Sequence, residues 1–257
     1  MDAIKWCLLG ALQGVLEWLP VSSTGIVLLV AARMEIPLRE SYNIALALHV
    51  GTLLALLAAL RGDYARIALQ CIDWVSKGRL GREAKFLSIA TLATGIVGAP
   101  AFLLANTLLE RIDVRSLSVV ISALLAISAL MSLKKGRQRR EPDWKAAALL
   151  GFAQGIAAFP GLSRSGLTMA VLVSLGFEAD EAFRWSYLIA GPVVLGALVL
   201  GLLTDGCLLT LGGSFAVIAV AFAGLATIRL ALTVAKSIPR SILAVLVASG
   251  ILISALL

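Results

Sequence analysis

The sequence predicts an all-α integral membrane protein, with six transmembrane helices and two re-entrant broken-helix segments in an inverted-topology repeat. Three observations predict this class: an apolar composition, six apolar stretches of spanning length, and two matched apolar segments that break at polar residues. Of the 257 residues, 60% are hydrophobic and only 14% are charged. A soluble domain is about 25% charged. We therefore expect lipid to cover much of the surface.

The charge and cysteine content exclude several classes of protein. The net charge of +7 lies mostly in loops between apolar stretches, where it indicates membrane orientation rather than a nucleic-acid partner. The three cysteines, Cys7, Cys71 and Cys207, lack metal-ligand spacing and predict no disulfide framework. They are expected to pack as small apolar residues. The N-terminus has no signal-peptide cleavage pattern.

Six stretches are long and apolar enough to cross a bilayer, which takes about 20 residues. They are Tyr42–Leu60, Phe86–Leu109, Val114–Leu133, Ser186–Leu203, Gly213–Ala235 and Ser241–Leu257. Two further apolar stretches are too short to span. Residues 3–16 end before Glu17 and Pro20, and residues 146–159 end at Pro160. Each is followed by a polar turn and a second short apolar stretch, which is typical of a re-entrant segment.

Positive charge orients these spans. Threading them places fifteen Lys and Arg residues on one side, most of them in loops 61–85 and 134–145, and five on the other. The richer side is the cytoplasmic side by the positive-inside rule. Residues 65–75 are expected to form an amphipathic helix or a solvated loop on this inner surface. Three tryptophans fall near the inner ends of spans, where interfacial aromatics are common: Trp74, Trp144 and Trp185.

The two re-entrant segments align without a net gap. Gln13-Gly14 matches Gln154-Gly155, and a glycine follows each glutamine twelve residues later. Between them the matched pairs are Trp18 with Phe159, Ser22 with Ser163, and Thr24 with Ser165. Three spans follow each copy, so the second repeat is inverted relative to the first. The predicted repeats are residues 1–133 and 146–257, within a single membrane domain. Such repeats place a polar site near the bilayer midplane.

Glu17 and Arg164 are the charged residues within the two breaks. An ionisable side chain at membrane depth is costly and by default marks a functional site, although a purely structural ion pair is an alternative. Hydroxyls surround them: Ser22, Ser23, Thr24, Ser163 and Ser165. Each hydroxyl alone is more simply a helix N-cap. Together with two helix N-termini and a guanidinium, they suit a phosphate or diphosphate.

QGVLEWLPVSSTG and FPGLSRSGLT resemble the two signature regions of the undecaprenyl-diphosphate phosphatase, or bacitracin-resistance, family. The resemblance covers the whole chain. It implies a multi-pass protein of the plasma or inner membrane that hydrolyses a polyprenyl diphosphate lipid to the monophosphate and phosphate. In bacteria this recycles the lipid carrier of peptidoglycan synthesis and confers bacitracin resistance.

The resemblance also assigns roles to residues. Glu17, Ser23 and Arg164 are the expected catalytic residues. The expected substrate-binding residues are Gln13, Ser22, Thr24, Gly25, Ser163, Ser165 and Gly166. Glu17 would act as a general base, or would hold a divalent cation, Mg²⁺ or Ca²⁺, together with Gln13. The attacking group would be Ser23 or a water molecule activated by Glu17. The diphosphate is expected to enter from the outer side while the prenyl tail stays in lipid.

One position departs from the family pattern. The family usually has His directly after Ser-Ser-Thr-Gly, and this sequence has Ile26 there. His49, the sole histidine, could face the site and substitute, or could hydrogen-bond a neighbouring helix. The departure favours water as the attacking group. It also leaves open a second function, a polyprenyl-phosphate transporter of the same fold that lacks hydrolysis. The expected partners are the polyprenyl lipid and membrane lipids, and the oligomeric state, a homodimer included, is left open.

Overall fold

The computed structural model describes residues 3–36, 38–108, 119, 123, 142–158, 162–204 and 211–256. These residues form ten α-helices, and no strand occurs among them. The helices are α1 (Ala3–Leu16), α2 (Ser23–Arg33), α3 (Leu38–Ala59), α4 (Arg61–Lys77), α5 (Arg82–Leu108), α6 (Trp144–Ile156), α7 (Arg164–Ser174), α8 (Ala179–Thr204), α9 (Leu211–Ala235) and α10 (Arg240–Leu256). The all-helical prediction is confirmed for this part of the chain.

Both predicted breaks separate short helices. In the first, α1 ends at Leu16 and α2 begins at Ser23, with Pro20 between them. Ser22 caps α2, because its hydroxyl accepts from the Gly25 amide at 3.3 Å. In the second, α6 ends at Ile156 and α7 begins at Arg164. Ser163 caps α7 by accepting from the Gly166 amide at 3.1 Å.

Each short first helix packs against a long helix from the other half of the chain. α1 lies along α9, and α6 lies along α5. Glycines make both close approaches possible. A Cβ on Gly14 would lie 2.7 Å from the Val220 carbonyl oxygen, and a Cβ on Gly155 would lie 2.9 Å from the Gly98 amide. Small residues allow helix backbones in membranes to approach in this way.

Five of the six predicted spans coincide with helices. These spans fall within α3, α5, α8, α9 and α10, with differences of one residue at some ends. The sixth, Val114–Leu133, lies outside the described residues except for Val119 and Ala123. By length and hydropathy alone, two described helices qualify as membrane-crossing, at Arg82–Ala101 and Gly213–Ala235. Only 33% and 22% of these windows are buried, so most of their apolar surface faces outward.

Residues 65–75 are helical, as part of α4. Ile67 is buried against the bundle, whereas Leu69, Ile72 and Val75 are all more than 60% exposed. α4 ends at Gly78, whose φ of 68° is the left-handed conformation that glycine tolerates best. Its exposed apolar side chains suit the membrane interface.

Two expectations about packing were wrong. Trp185 is fully buried against Phe86, with ring centroids 4.4 Å apart, whereas Trp74 and Trp144 are exposed. The Arg184 guanidinium lies over its ring, 5.1 Å from the centroid. Cys7 and Cys71 are exposed free thiols rather than packed core residues, because they lie on outward faces of α1 and α4. Cys207 lies outside the described residues.

Candidate active site

The two predicted breaks meet at one cavity of about 160 Å³. Ser23 and Thr24, from the first turn of α2, line it on one side, and Arg164 and Ser165, from the first turn of α7, line it on the other. Two helix N-termini therefore face the same space. The first turn of a helix has backbone N–H groups without helical partners and a partial positive charge, so it favours an anion.

Glu17 is the centre of the polar contacts in this cavity. Its Oε1 accepts from the Arg164 Nη2 at 2.5 Å. Its Oε2 accepts from the Ser23 hydroxyl at 2.5 Å and from the Gln13 amide nitrogen at 2.9 Å. The carboxylate is 7% exposed. Residues from both breaks are thus brought together around one buried carboxylate.

The hydroxyls of the second break hold the backbone of the first. The Ser165 hydroxyl donates to the Leu19 carbonyl at 2.5 Å, and the Ser163 hydroxyl donates to the Val21 carbonyl at 2.9 Å. A serine hydroxyl has a single proton to donate, so in this state neither serine has one to give to a phosphate. Both are expected to bind substrate, and in the structure their hydroxyls link the two breaks.

The glycines expected at the site have packing roles in the structure. A Cβ on Gly166 would lie 2.1 Å from the Ile251 side chain, so only glycine fits against α10 at this position. A Cβ on Gly25 would lie 3.2 Å from the Ser22 hydroxyl that caps α2. Both glycines follow the capping serines closely and keep the two helix starts compact.

The Arg164 guanidinium is only partly satisfied by the protein. Besides the bond to Glu17, its carbon lies 5.6 Å from the centre of the Trp18 ring, a cation–π distance. Nη1 is buried and has no hydrogen-bond partner among the described residues. A buried, unpaired N–H of a cation is costly. An anion that reached Nη1 would satisfy this donor.

His49 of α3 lines the cavity, and Ile26 of α2 does not. The His49 Nδ1 lies 2.8 Å from the Ala45 carbonyl oxygen, which can only accept, so Nδ1 is the donor. Nε2 then faces Glu17, 3.8 Å from its Oε2. The imidazole therefore reaches the cavity from another helix, and at the same time binds the backbone of its own helix.

The expected Mg²⁺ or Ca²⁺ would need oxygen ligands from the side chains around the cavity. Among the described residues no group of three His, Cys, Asp or Glu side chains converges. The buried Gln13 Oε1 has no hydrogen-bond partner in this part of the chain. Together with the Glu17 carboxylate it offers oxygen ligands, which Mg²⁺ and Ca²⁺ prefer. These two residues would hold such a cation, although Gln13 does not line the cavity, and its remaining ligands would be phosphate oxygens and water.

Several residues at or behind the cavity were not predicted from the sequence. The Tyr187 hydroxyl donates to the Trp18 carbonyl at 2.8 Å, and the Thr168 and Ser186 hydroxyls lie 2.6 Å apart behind the second break. Val193 and Val194 of α8 form an apolar part of the cavity wall. The signal available for Tyr187 was a hydroxyl inside an apolar stretch. The two valines carried no signal, because valine is common in every span.

The fold and the cavity define a helical membrane protein with a polar cavity between two broken helices. Comparison with known families identifies the group. The model of the family described as bacitracin resistance protein BacA matches residues 6–252, and the chain belongs to this family.

Individual relatives agree with this assignment. An undecaprenyl-diphosphatase of Methanococcoides burtonii is 37% identical over 243 residues, covering 91% of each chain. One from Haloarcula marismortui is 37% identical over 208 residues, covering 77% of this chain and 76% of the relative. One from Methanothrix thermoacetophila is 35% identical over 206 residues, covering 78% and 75%.

Proposed function

We propose that this protein is a membrane phosphatase that hydrolyses undecaprenyl diphosphate, or a similar polyprenyl diphosphate, to the monophosphate and inorganic phosphate. The observation that carries the proposal is the cavity in which Glu17, Ser23 and Arg164 converge between two helix N-termini. The names of the relatives support it, because each is an undecaprenyl-diphosphatase. Such an enzyme would recycle a lipid carrier and confer bacitracin resistance.

Substrate binding falls to the cationic parts of the cavity. The free Nη1 of Arg164 and the first-turn N–H groups of α2 and α7 would hold the terminal phosphate. Arg164 would exchange part of its bond with Glu17 for phosphate oxygens, because a guanidinium binds phosphate in a bidentate way. These fixed donors would stabilise the charge that develops on the phosphoryl oxygens, which is the main source of catalysis in phosphoryl transfer.

The 2.5 Å bond from Ser23 to Glu17 supports Ser23 as the attacking group. Glu17 would take the hydroxyl proton while Oγ forms a bond to the terminal phosphorus. The bond from that phosphorus to the bridging oxygen breaks, and the electron pair leaves with the polyprenyl monophosphate, which takes the proton from Glu17. Water then attacks the phosphoserine and gives one proton to Glu17, which passes it to the released Oγ. Phosphate leaves.

Two further groups have supporting roles. A divalent cation, Mg²⁺ or Ca²⁺, would be held by Glu17 and the free Gln13 Oε1, and would supply positive charge that offsets the diphosphate. His49 would take the place of the histidine expected at position 26, since its Nε2 faces Glu17. The prenyl chain would leave the cavity along the apolar wall of Val193 and Val194 toward lipid.

The purely structural ion pair explains less of the site. Such a pair would account for the Glu17–Arg164 bond but not for the unpartnered Nη1 or the adjoining cavity. The transporter alternative is also not favoured, because the relatives are named as diphosphatases.

We also propose the finer topology. Six spans and two re-entrant segments form an inverted repeat of residues 1–133 and 146–257, in a multi-pass protein whose site opens to the outer side. Two features support it. α1 and α6 each pack against a helix of the other half of the chain. The glycines that allow this close packing, Gly14 and Gly155, are at matching positions of the two halves. Ser22 and Ser163 also cap matching helices.

Proteoliposomes separate the enzyme from the transporter. Purified protein is reconstituted with a long-chain polyprenyl diphosphate, and both phosphate release and movement of labelled lipid between leaflets are measured, with and without Mg²⁺ or Ca²⁺. We expect phosphate release, faster with a cation. Movement of the lipid without any phosphate release would overturn the proposal in favour of transport.

A further inference from the structure

Helix α8 contains a proline, Pro192, in its interior. Proline has no backbone N–H, so the carbonyl four residues earlier, that of Leu188, lacks its usual helical donor. Inside a bundle such an oxygen needs another partner. The structure supplies one from outside the helix: the Tyr64 hydroxyl of α4 donates to the Leu188 carbonyl oxygen at 2.9 Å.

Space for this hydroxyl is made by the residue next to the proline. A Cβ on Gly191 would lie 2.1 Å from the Tyr64 hydroxyl oxygen, so a larger residue there would push the phenol away. Burial raises the pKa of Tyr64, which keeps the phenol protonated and able to donate. Gly191, Pro192 and Tyr64 therefore form one arrangement.

The same end of α4 is tied to α8 by charge. Arg184, one turn before Leu188, donates from Nη2 to Asp63 and to Glu83, at 2.7 Å each. Asp63 directly precedes Tyr64, so α4 holds α8 at two successive turns. The residues that follow Pro192 are Val193 and Val194, which line the cavity.

We propose that Tyr64 is a positioning residue, which replaces the amide missing at Pro192 and thereby holds Val193 and Val194 in place against the cavity. Its role in turnover rests on the proposed function, because these valines would contact the prenyl end of the substrate. The position of the wall itself can be measured without any turnover. The proposal links a helix at the membrane interface to the shape of the site.

The test is a double-mutant cycle read by thiol labelling. Val193→Cys is introduced into protein whose Cys7, Cys71 and Cys207 are replaced by serine, and its modification rate by a water-soluble methanethiosulfonate is measured. Tyr64→Phe removes only the hydroxyl and should raise the rate about fivefold, the effect of losing one hydrogen bond. Pro192→Ala restores a helical N–H, so in that background the same change should have almost no effect.

A matched hydroxyl deletion serves as the control. Thr227 donates to the Ala223 carbonyl within its own helix α9. Residue 227 is not a proline, so this carbonyl keeps its usual helical donor. Thr227→Val should therefore leave the labelling rate unchanged. An equal effect of Tyr64→Phe in both backgrounds, or none in either, would overturn the proposal. So would an equal response to Thr227→Val.

Turnover provides the second readout. In protein with its native cysteines and valines, Tyr64→Phe should raise KM for the polyprenyl diphosphate about fivefold and leave kcat nearly unchanged, because Glu17, Ser23 and Arg164 are untouched. An unchanged KM would contradict a role of the wall in substrate binding. If the cycle behaves as expected but the unmutated protein releases no phosphate, the positioning role of Tyr64 stands and the proposed function fails.

Discussion

The carboxylate of Glu17 touches three side chains at once, those of Arg164, Ser23 and Gln13. Two of these partners are close in sequence, and the third comes from 147 residues away. The Glu17 carboxylate thus gathers these polar side chains inside a largely apolar helical bundle. Two consequences can be measured at the level of single residues.

Glu17→Gln keeps the size of the side chain and removes its charge. We expect phosphate release to fall by about 10²- to 10⁴-fold, the usual contribution of a general base. Release rates are compared with those of Glu35→Gln, which changes an exposed carboxylate and should have no effect. Activity within about threefold of the unmutated protein would remove Glu17 from the mechanism.

Ser23→Ala distinguishes the two possible attacking groups. If Ser23 attacks phosphorus, release should fall by at least about 10³-fold, and acid quenching of the unmutated protein should trap a phosphoserine. Ser76→Ala is the matched control, because Ser76 is an exposed serine on α4. A loss of tenfold or less, without a trapped intermediate, would assign the attack to water.

Sequence reasoning was strongest for charged residues and weakest for hydroxyls. Glu17 and Arg164 were predicted together because charge at membrane depth demands a partner or a function, and the structure pairs them. Ser163 and Ser165 are predicted phosphate ligands, and the sequence did not indicate that their protons go to backbone carbonyls of the first break. A hydroxyl fits many partners, so its sequence position does not predict which one it takes.

At the level of helices, glycine contacts set how closely the two halves approach. Gly14 of α1 packs on α9, where an added Cβ would lie 2.7 Å from the Val220 carbonyl oxygen. The Gly95 position in α5 has no atom within 4 Å. Replacing glycine by alanine should therefore have opposite effects on stability at the two positions.

Gly14→Ala should destabilise the protein by about 1–3 kcal/mol, the cost of overpacking. Gly95→Ala should stabilise it by up to about 1 kcal/mol, because alanine favours helix. Thermal unfolding in detergent is the measurement. Equal midpoints for the two variants would contradict the close packing of α1 on α9.

Helix ends could be predicted where the chain supplies a local signal. Pro20 and the capping serines mark the breaks, and Gly78 marks the end of α4. Contacts between distant helices carry no such signal. The bond from Tyr64 to Leu188 joins residues 124 positions apart, and only the folded arrangement brings a phenol to the carbonyl that Pro192 leaves free.

For the whole molecule, the charge asymmetry of the loops and the proposed inverted repeat predict a definite orientation. The exposed thiol of Cys71 on α4 should face the cytoplasm, and the exposed Glu35 after α2 should face outward. In cells, a membrane-impermeant maleimide should label Glu35→Cys in cysteine-free protein. Native Cys71, with Cys7 and Cys207 replaced by serine, should react only after lysis.

Cysteine-free protein without an added cysteine is the control and should stay unlabelled. Labelling of Cys71 in intact cells, with Glu35→Cys protected, would reverse the orientation. Labelling of both from the same side would contradict the inverted repeat. Residues 35 and 71 would then be separated by an even number of crossings, whereas the repeat requires the single span Tyr42–Leu60 between them.

We propose that Arg164, held by Glu17 between two helix N-termini, binds a diphosphate so that it can be cleaved. The most direct test is phosphate release from a long-chain polyprenyl diphosphate by purified protein in detergent. Arg164→Ala and Arg164→Lys are measured beside Arg229→Ala, which removes an exposed arginine from α9, and thermal unfolding checks that each variant is folded. We expect losses of at least about 10²-fold for both Arg164 variants and no loss for Arg229→Ala. Full activity in folded Arg164→Ala protein would contradict it.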